Sequence, residues 1–169
     1  MIMSLAEDKQ ALFTKVEKEL ANQGFHIKKK DLNRPWGGFF VIDEDQAPEF
    51  AEKYFNKVPL KDIKIAGKLS PKILVVAPDK RLSWQYHHRR AEIWKVLEGE
   101  VGVITSDTDE EGELKKLAPE TLITLKQGER HRLVGLNDWG VLAEIWRHTD
   151  VEHPSDEEDI VRLQDDFGR

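Results

Sequence analysis

The sequence contains no cysteine, which excludes a disulfide framework, a thiolate metal site and a cysteine nucleophile. It also lacks an excess of positive charge, because 26 Lys and Arg oppose 32 Asp and Glu and leave a net charge of -6. No apolar run approaches the length of a membrane span, and the first residues do not resemble a signal peptide. We therefore expect a cytoplasmic protein that binds neither nucleic acid nor membrane.

The chain has the size of one domain with terminal additions, since it has 169 residues of which 39% are hydrophobic. Apolar residues recur at helical spacing over residues 4–24, where Ser4 and Glu7 could form a capping box and Gly24 could end the helix. This pattern predicts an amphipathic N-terminal helix that packs outside the core or on a partner subunit.

Two shorter helices are predicted further along the chain. Residues 48–57 begin with Pro48, which suits the first turn of a helix. In the C-terminal tail, Ser155 stands three residues before Glu158, and this spacing of a capping box predicts a helix around residues 160–165. Residues 58–71 are expected to be irregular.

The rest of the chain is typical of antiparallel sheet. Residues 33–42 are interpreted as a turn that leads into a strand, and after residue 71 short apolar segments alternate with turn residues. These segments are KILVVAP, LSWQYHH, EIWKVLEG, EVGVIT, LKKL, TLITL, HRLVG and VLAEIW, and an acidic hairpin tip at 107–113 separates the fourth from the fifth. The pattern predicts an all-β sandwich or barrel.

Four residues within this sheet have the chemistry and spacing of metal ligands. Gln85 and His87 are two apart and therefore share one face of a strand, Glu92 follows after a tight turn, and His131 arrives from a later strand. Nitrogen and oxygen ligands of this kind favour one divalent ion, zinc before iron, manganese, cobalt or nickel. Each residue taken alone is more often a surface or hydrogen-bonded side chain than a ligand, but the combination favours the metal site.

These residues resemble the motifs of the cupin superfamily. Gln85-x-His87, Glu92 and Gly99 keep the spacing of its first motif, with Gln for the first His, and residues 126–131 keep that of the second. Asp79 stands where the first motif begins with Gly. The resemblance implies a jelly-roll β-barrel, in agreement with the strand pattern, and here with an added N-terminal helix and short peripheral helices.

The sequence is more closely similar to the cupin-type mannose-6-phosphate isomerases over residues 34–169. The motifs that carry this resemblance occur in the family's order and are RPWG at 34–37, LSWQYHHRRAEIW at 82–94, His131-Arg132, EEDIVR at 157–162 and DDFGR at 165–169. We therefore expect residues 1–33 to be an extension and residues 34–169 to be the cupin domain. The resemblance implies a metal-dependent aldose-ketose isomerase of mannose 6-phosphate and fructose 6-phosphate.

Several residues depart from the pattern of that family. Arg89 and Ile93 stand at positions where the family often has His. The other departures are Gly135 in place of Asn, Trp146 in place of Gln and Phe167 in place of Tyr. The metal ligands are retained, whereas these changes are expected to fall partly around the substrate, so the resemblance implies the metal more directly than the sugar.

Isomerisation requires a base that moves a proton between adjacent carbons, and the candidates are Glu144 and His88. Glu144 shares the inward face of its strand with Trp146, and His88 adjoins the ligands. Either residue could instead be structural, Glu144 as the partner of an arginine and His88 as a solvent-exposed side chain.

A sugar phosphate also requires cationic and apolar contacts. For the phosphate, the candidates in order are Arg90, Arg162 and Arg34, although ion pairs are an equally good explanation of these arginines. Trp94 and Trp146 have the strand parity to line a sugar pocket.

Two other classes of function stay open at this point. The same ligands would serve a cupin oxygenase or epimerase, or a cupin that binds a metal or a sugar without turnover. Cupins commonly pair, and the N-terminal helix together with exposed strand edges leads us to expect a homodimer.

Overall fold

The protein is described by a computed structural model that covers residues 5–59 and 68–168, with side chains from residue 8 onward. Its helices are α1 (Leu5–Asn22) and α2 (Ala47–Tyr54), and a 3-10 turn at Glu44–Gln46 precedes α2. The strands are β1 (Ile27–Arg34), β2 (Gly37–Ile42), β3 (Lys72–Val76), β4 (Trp84–Tyr86), β5 (Arg90–Glu98), β6 (Val101–Ser106), β7 (Leu114–Leu117), β8 (Leu122–Leu125), β9 (Arg130–Gly135), β10 (Gly140–His148) and β11 (Val161–Gln164). Neither helix is both long and apolar enough to cross a membrane.

The strands form two antiparallel sheets that pack face to face. The first has the order β1-β2-β3-β10-β5-β8 and the second the order β11-β4-β9-β6-β7. Strands that are distant in sequence are neighbours in both sheets, which distinguishes this jelly-roll from a simple meander. The predicted all-β fold with an N-terminal helix is confirmed.

The first sheet is buried on both faces. Along β10, Ala143 and Ile145 face the helices, whereas Leu142 packs in the cluster between the sheets. Because neighbouring residues of a strand point to opposite faces, Glu144 and Trp146 share the inner face with Leu142. This alternation directs a carboxylate and a large aromatic ring into the space between the sheets.

Helix α1 covers the outer face of the first sheet. Its residues Phe13, Val16 and Leu20 are buried in one cluster with Phe40 and Ile73 of the sheet. The prediction of an N-terminal helix over 4–24 is therefore confirmed for the described residues, and Gly24 follows the helix with a φ of 83°. The expected capping contact between Ser4 and Glu7 lies outside the described side chains.

Two turns, at Gly99 and Asp79, keep the backbone conformation that the spacing of the first motif requires. Gly99 lies in the two-residue connection between β5 and β6 with a φ of 73°, and a Cβ there would collide with the carbonyl oxygen of Trp139. Asp79 replaces the glycine of the motif and still adopts a φ of 59°. Aspartate tolerates this left-handed conformation better than most residues, so the turn survives the substitution.

The prediction of a helix around residues 160–165 is wrong. This segment contains β11, in which Val161 pairs with Tyr86 and Arg162 with Gln85 of β4. Ser155 donates its hydroxyl hydrogen to Asp159 and does not cap a helix. Pairing with an available strand edge overrides the local capping pattern.

Three further regions compare differently with expectation. Strand β1 was not predicted, and it crosses the expected boundary at residue 33, so the division into an extension and a cupin domain stays a prediction. Helix α2 covers most of the predicted 48–57 but ends at Tyr54. Most of the irregular segment at 58–71 lies outside the described residues.

Candidate metal centre and its cavity

Three predicted ligands meet where the two sheets face each other. Nε2 of His87, which follows β4, is 3.4 Å from Oε2 of Glu92 on β5. Nε2 of His131, on β9, is 3.3 Å from Oε1 of the same carboxylate. The ligand atoms of the three residues lie within 4.8 Å of one another, and all three side chains are buried. Three of the four residues that the sequence spacing predicts as ligands therefore lie together and could hold a metal ion.

Both histidines are held in the tautomer that binds metals. Nδ1 of His87 is 2.7 Å from the carbonyl oxygen of Asp159, and Nδ1 of His131 is 3.1 Å from that of Glu129. A carbonyl oxygen can only accept, so Nδ1 carries the hydrogen and Nε2 presents its lone pair. Nε2 of His131 is buried and has no hydrogen-bond partner within the described residues.

The charges of this cluster are interdependent. Burial by itself raises the pKa of Glu92, but His87, Arg90 and His131 outweigh it and hold that pKa well below its usual range. Burial lowers the pKa of His87 to about 4, partly offset by the nearby carboxylate of Glu92. At neutral pH the cluster therefore offers one carboxylate and a neutral imidazole at position 87.

Gln85 lies beside this cluster. It pairs with His131 across β4 and β9, and its side chain lines the cavity next to Glu92. The hydroxyl of Ser83 donates to Oε1 of Gln85 at 3.1 Å, which orients the amide. The fourth predicted ligand is thus a neighbour of the other three.

The residues fit a divalent ion. Ligand atoms about 2.1 Å from a metal are separated from each other by about 3 Å, close to the distances that Glu92 makes with the two histidines. Two imidazoles, a carboxylate and an amide oxygen suit zinc and its first-row neighbours, and the unpartnered Nε2 of His131 is the kind of atom that such an ion satisfies.

A cavity of about 510 Å³ opens in front of Gln85 and Glu92. Its lining includes aromatic and aliphatic side chains together with five lysine and arginine residues and three glutamates. The cations are Lys29, Arg34, Lys72, Arg90 and Arg162, and the acids are Glu92, Glu144 and Glu157. The cavity of this acidic protein therefore carries an excess of positive charge.

Glu144 lies on the inner face of β10 and lines the cavity. It accepts hydrogen bonds from the indole nitrogens of Trp94 at 2.9 Å and Trp146 at 3.2 Å. Burial, and then repulsion by Glu92, raises the pKa of Glu144 to about 7 despite the nearby Lys72. A carboxyl group with such a pKa can both accept and return a proton at neutral pH.

The second candidate base lies elsewhere. His88 is exposed and does not line the cavity, and its ring contacts that of Tyr86 at 5.4 Å between centroids. Its backbone nitrogen donates to Asp159. The structure therefore brings Glu144, but not His88, to the cavity.

The predicted phosphate-binding arginines are placed differently from one another. Arg90 is buried, and its guanidinium donates to Glu92 at 2.9 Å and to Ser155 at 3.0 Å. Arg34 and Arg162 line more accessible parts of the cavity. Arg34 lies 3.0 Å from Asp31, and Arg162 pairs with Gln85 in the sheet.

The two predicted sugar-contacting tryptophans are both buried. Trp94 lines the cavity, and its ring meets that of His131 edge-on. Trp146 does not itself line the cavity, because Arg90 and Lys72 lie over its ring at 3.5 Å and 4.8 Å from the centroid. Trp146 thus supports two cations rather than forming the surface.

One departure from the family pattern is explained by its position. Ile93 was expected to change the surroundings of the substrate, but it lies on the outer face of β5 and packs in the cluster beneath the helices. The expectation for this residue is wrong, since the side chain points away from the cavity. Among the departures, Trp146 lies on the inner face.

Two functional residues were missed from the sequence. Lys72 stands at the start of an apolar strand, and its even-numbered spacing from Leu74 would have placed it inward. Asp159 lies in the EEDIVR segment, and its carboxylate accepts from the backbone of His88 and Arg89 at 2.9 Å each. Contacts over such a sequence distance leave no local pattern.

Comparison with known proteins agrees with this geometry. Residues 52–165 match the family model described as mannose-6-phosphate isomerase C-terminal. The mannose-1-phosphate guanylyltransferase of Salmonella montevideo is 29% identical over 155 residues, which are 91% of this chain but 27% of the relative. The chain thus spans about a quarter of the length of that relative.

Two solved structures share the fold. The capsular polysaccharide assembling protein CapF from Staphylococcus aureus matches with a TM-score of 0.53 and 12% identity over 83% of this chain and 34% of that one. A recombinant oxalate oxidase in complex with glycolate matches with a TM-score of 0.53 and 15% identity over 80% of this chain and 60% of that one. Since the family match covers well over half of the chain, the protein belongs to the mannose-6-phosphate isomerase C-terminal family, and its fold is a cupin barrel.

Proposed function

We propose that this domain is a metal-dependent sugar-phosphate isomerase that interconverts an aldose and a ketose phosphate, with mannose 6-phosphate and fructose 6-phosphate as the family-implied pair. One observation carries the proposal: Glu144, whose pKa is raised to about 7, lines the same cavity as Glu92, the carboxylate of the buried cluster that Glu92 forms with His87 and His131. Trp94 pairs with Glu144 and Glu92 with Trp146, so the two carboxylates are diagonal neighbours about 7 Å apart at their Cα atoms.

Each group has a defined task in this reaction. His87, Glu92, His131 and Gln85 would hold the ion, which when bound polarises the substrate carbonyl. Glu144 takes the proton from the carbon beside the carbonyl and delivers it to the former carbonyl carbon, while the hydroxyl proton passes from the oxygen of the first carbon to that of the second. The two indole donors fix its carboxylate in one orientation, which keeps it directed at the substrate throughout the transfer.

The cavity suits a small anionic sugar. Its volume of about 510 Å³ is in the range of ligand-binding sites, and its cations outnumber its carboxylates. Trp36 lines the wall with a buried indole N–H that has no partner within the described residues, and a sugar hydroxyl would satisfy it. An aromatic wall with single donors is typical of carbohydrate sites.

A second candidate function is favoured by one contact. The guanidinium of Arg90 donates to Oε2 of Glu92 at 2.9 Å and lies 3.3 Å from Nε2 of His87, so it can balance the charge of the cluster without an ion. A domain that uses this arrangement to bind sugar phosphates without turnover would keep the cavity and its cations. It would not need a base at position 144.

The test is an isomerisation screen of hexose and pentose phosphates with zinc, manganese, cobalt, nickel or iron added to chelator-treated protein. NMR in D2O would follow the reaction, because isomerisation through a proton transfer incorporates deuterium at the carbon beside the carbonyl. We expect one aldose phosphate to be converted, with metal dependence. Sugar-phosphate binding without conversion under any metal would replace the isomerase by the binding domain.

The matched control is Glu144→Gln, which keeps the size and, through its amide oxygen, one of the two indole contacts while removing the base. We expect it to retain the metal and lose conversion by at least a hundredfold. Conversion at the wild-type rate by this variant would remove Glu144 from the reaction.

A further inference from the structure

Lys72 is a buried cation directed into the cavity. It lies on β3 with 7% of its surface exposed, on the inner face that it shares with Leu74. Its Nζ is 4.8 Å from the ring centroid of Trp146 and 5.4 Å from that of Phe39. Buried lysines are rare and need a partner, and two aromatic rings hold this ammonium group in one place.

The ion-pair partner of Lys72 comes from the C-terminal tail. Oε1 of Glu157 lies 2.5 Å from Nζ, and both residues line the cavity. The lysine side chain is 9% exposed, whereas that of Glu157 is 70% exposed. The cation is thus fixed by the barrel, while the carboxylate approaches it from the solvent side, where another anion can take its place and keep the buried ammonium group paired.

The register of the first sheet sets the distance between Lys72 and the candidate metal cluster. Lys72 pairs with Glu144 on β10, and β10 pairs with β5, which carries Glu92. Two strand spacings separate β3 from β5, about 10 Å. On the other side, Val41 pairs with both Lys72 and Lys29, so the positive charge continues away from the cluster.

The cavity is therefore polarised from one end to the other. Along the inner face of the first sheet, Glu92 lies on β5, Glu144 on β10, Lys72 on β3 and Lys29 on β1, so the carboxylates lie towards β5 and the lysines towards β1, with Lys72 next to Glu144. A molecule with a carbonyl at one end and a phosphate at the other, separated by a short carbon chain, matches this polarity. Lysine suits the phosphate as a compact point charge.

We infer that Lys72 binds the phosphate group of the substrate and that Glu157 is an internal anion that occupies this position until the substrate displaces it. This inference rests on the proposed function in so far as it takes the ligand to be a sugar phosphate. The two members of one ion pair then have opposite effects on affinity, since Lys72 attracts the phosphate and Glu157 competes with it.

The experiment compares Lys72→Met and Glu157→Gln, each close in size to the native residue but uncharged. The matched control is the pair Lys95 and Glu120, which are 3.1 Å apart with 18% and 73% of their side chains exposed. Lys95 adjoins the inward Trp94 in β5 and faces the other way, outside the cavity. Calorimetry would measure the Kd of metal-loaded protein for mannose 6-phosphate and for mannose.

We expect Lys72→Met to weaken mannose 6-phosphate binding at least tenfold and to leave mannose binding unchanged. Glu157→Gln is expected to tighten mannose 6-phosphate binding severalfold, and Lys95→Met and Glu120→Gln to change neither ligand. Equal affinity of Lys72→Met and wild type for mannose 6-phosphate would overturn the inference. A loss of affinity in Glu157→Gln would also overturn the inference. If the ion pair only held the tail in place, removing either partner would weaken mannose 6-phosphate binding.

Binding and turnover separate this inference from the isomerase. If the wild type converts no sugar phosphate but the affinities change as expected, Lys72 is the phosphate site of a binding domain. If Lys72→Met isomerises mannose 6-phosphate with an unchanged KM, the isomerase stands and the assignment of Lys72 falls. Should Lys72→Met fail to fold, the gain expected from Glu157→Gln still decides the question.

Discussion

Nδ1 of His87 donates to the backbone carbonyl of Asp159 at 2.7 Å, across 72 positions of sequence. The carboxylate of the same aspartate accepts from the backbone of His88 and from the hydroxyl of Ser155, at 2.9 Å and 2.6 Å. One residue of the tail therefore fixes both the tautomer of a metal-ligand candidate and the turn that carries it. The tail is part of the site and not an appendage to the barrel.

We expect Asp159→Ala to lower the free energy of unfolding by about 2–3 kcal/mol, because one buried and two partly buried donors lose their acceptor. Zinc affinity should fall about tenfold, since the turn that orients His87 loosens. Urea denaturation and a chelator competition would measure the two effects.

The control is Asp166→Ala, which removes a tail carboxylate that pairs with Arg81 and is farther from the ligands in sequence. It should leave zinc affinity unchanged. Zinc binding of Asp159→Ala at wild-type strength would show that the turn holds without its carboxylate.

Metal content provides a direct test of the ligand set. We expect about one divalent ion per chain in protein prepared without chelator, and none in His87→Ala, because the imidazole supplies one of the few donors of the cluster. Inductively coupled plasma mass spectrometry would measure the content.

His153→Ala is a suitable control for that measurement, since this histidine is 74% exposed. Its metal content should equal that of the wild type. Full metal content in His87→Ala would refute the ligand assignment.

The raised pKa of Glu144 predicts a dependence of stability on pH in chelator-treated protein. Because the folded pKa is about 7 and the ordinary value is 4.5, the folded state holds a proton that the unfolded state releases between these values. The stabilisation that this bound proton provides is therefore fully present below about pH 4.5 and is lost as the pH rises through about 7. The loss amounts to about 3 kcal/mol relative to Glu144→Gln.

Urea denaturation of both proteins from pH 4 to pH 8 would measure that difference. Parallel stability curves would mean that the pKa of Glu144 is the same in the folded and unfolded states. In that event burial does not raise this pKa, and the carboxylate is ionised at neutral pH.

The N-terminal helix is expected to be a part of the fold and not a removable addition. Phe13 is 2% exposed, and its ring is 5.6 Å from that of Phe40 at the centroids. Phe13→Ala should cost about 3–5 kcal/mol of unfolding free energy through the cavity that it leaves. Thermal denaturation would measure this loss.

The neighbouring exposed residue Thr14 offers a control, because Thr14→Ala removes no buried surface. We expect a change within about 0.5 kcal/mol. A comparably small effect of Phe13→Ala would mean that the helix is detached in solution.

The strands and the placing of the candidate ligands were predictable because both depend on local alternation. Gln85 and His87 share a face by their spacing alone, and the turn at Gly99 is visible in two residues. The tail strand was not predictable, since the capping pattern at Ser155 is local whereas the pairing of Val161 with Tyr86 is not. Strand β1 was not predicted for a similar reason, because it depends on pairing with β2.

The electrostatic properties of the charged cavity residues also could not be predicted from local sequence. Lys72 is the first residue of the KILVVAP segment, and its proposed role depends on rings and a carboxylate that come from other strands and the tail. The raised pKa of Glu144 depends on burial and on Glu92. Neither cause can be recognised from the residues next to Glu144 in the sequence. Electrostatic properties arise only when distant segments meet.

The alternation along β10 restricts how this protein can change. Glu144 faces the cavity, while its neighbours Ala143 and Ile145 face the helices. Inserting or deleting one residue in the middle of this strand would present aliphatic side chains to the cavity and place a carboxylate beneath the helices. Natural variants and engineered libraries should therefore accept substitutions in β10 while rejecting single-residue length changes, whatever substrate is selected.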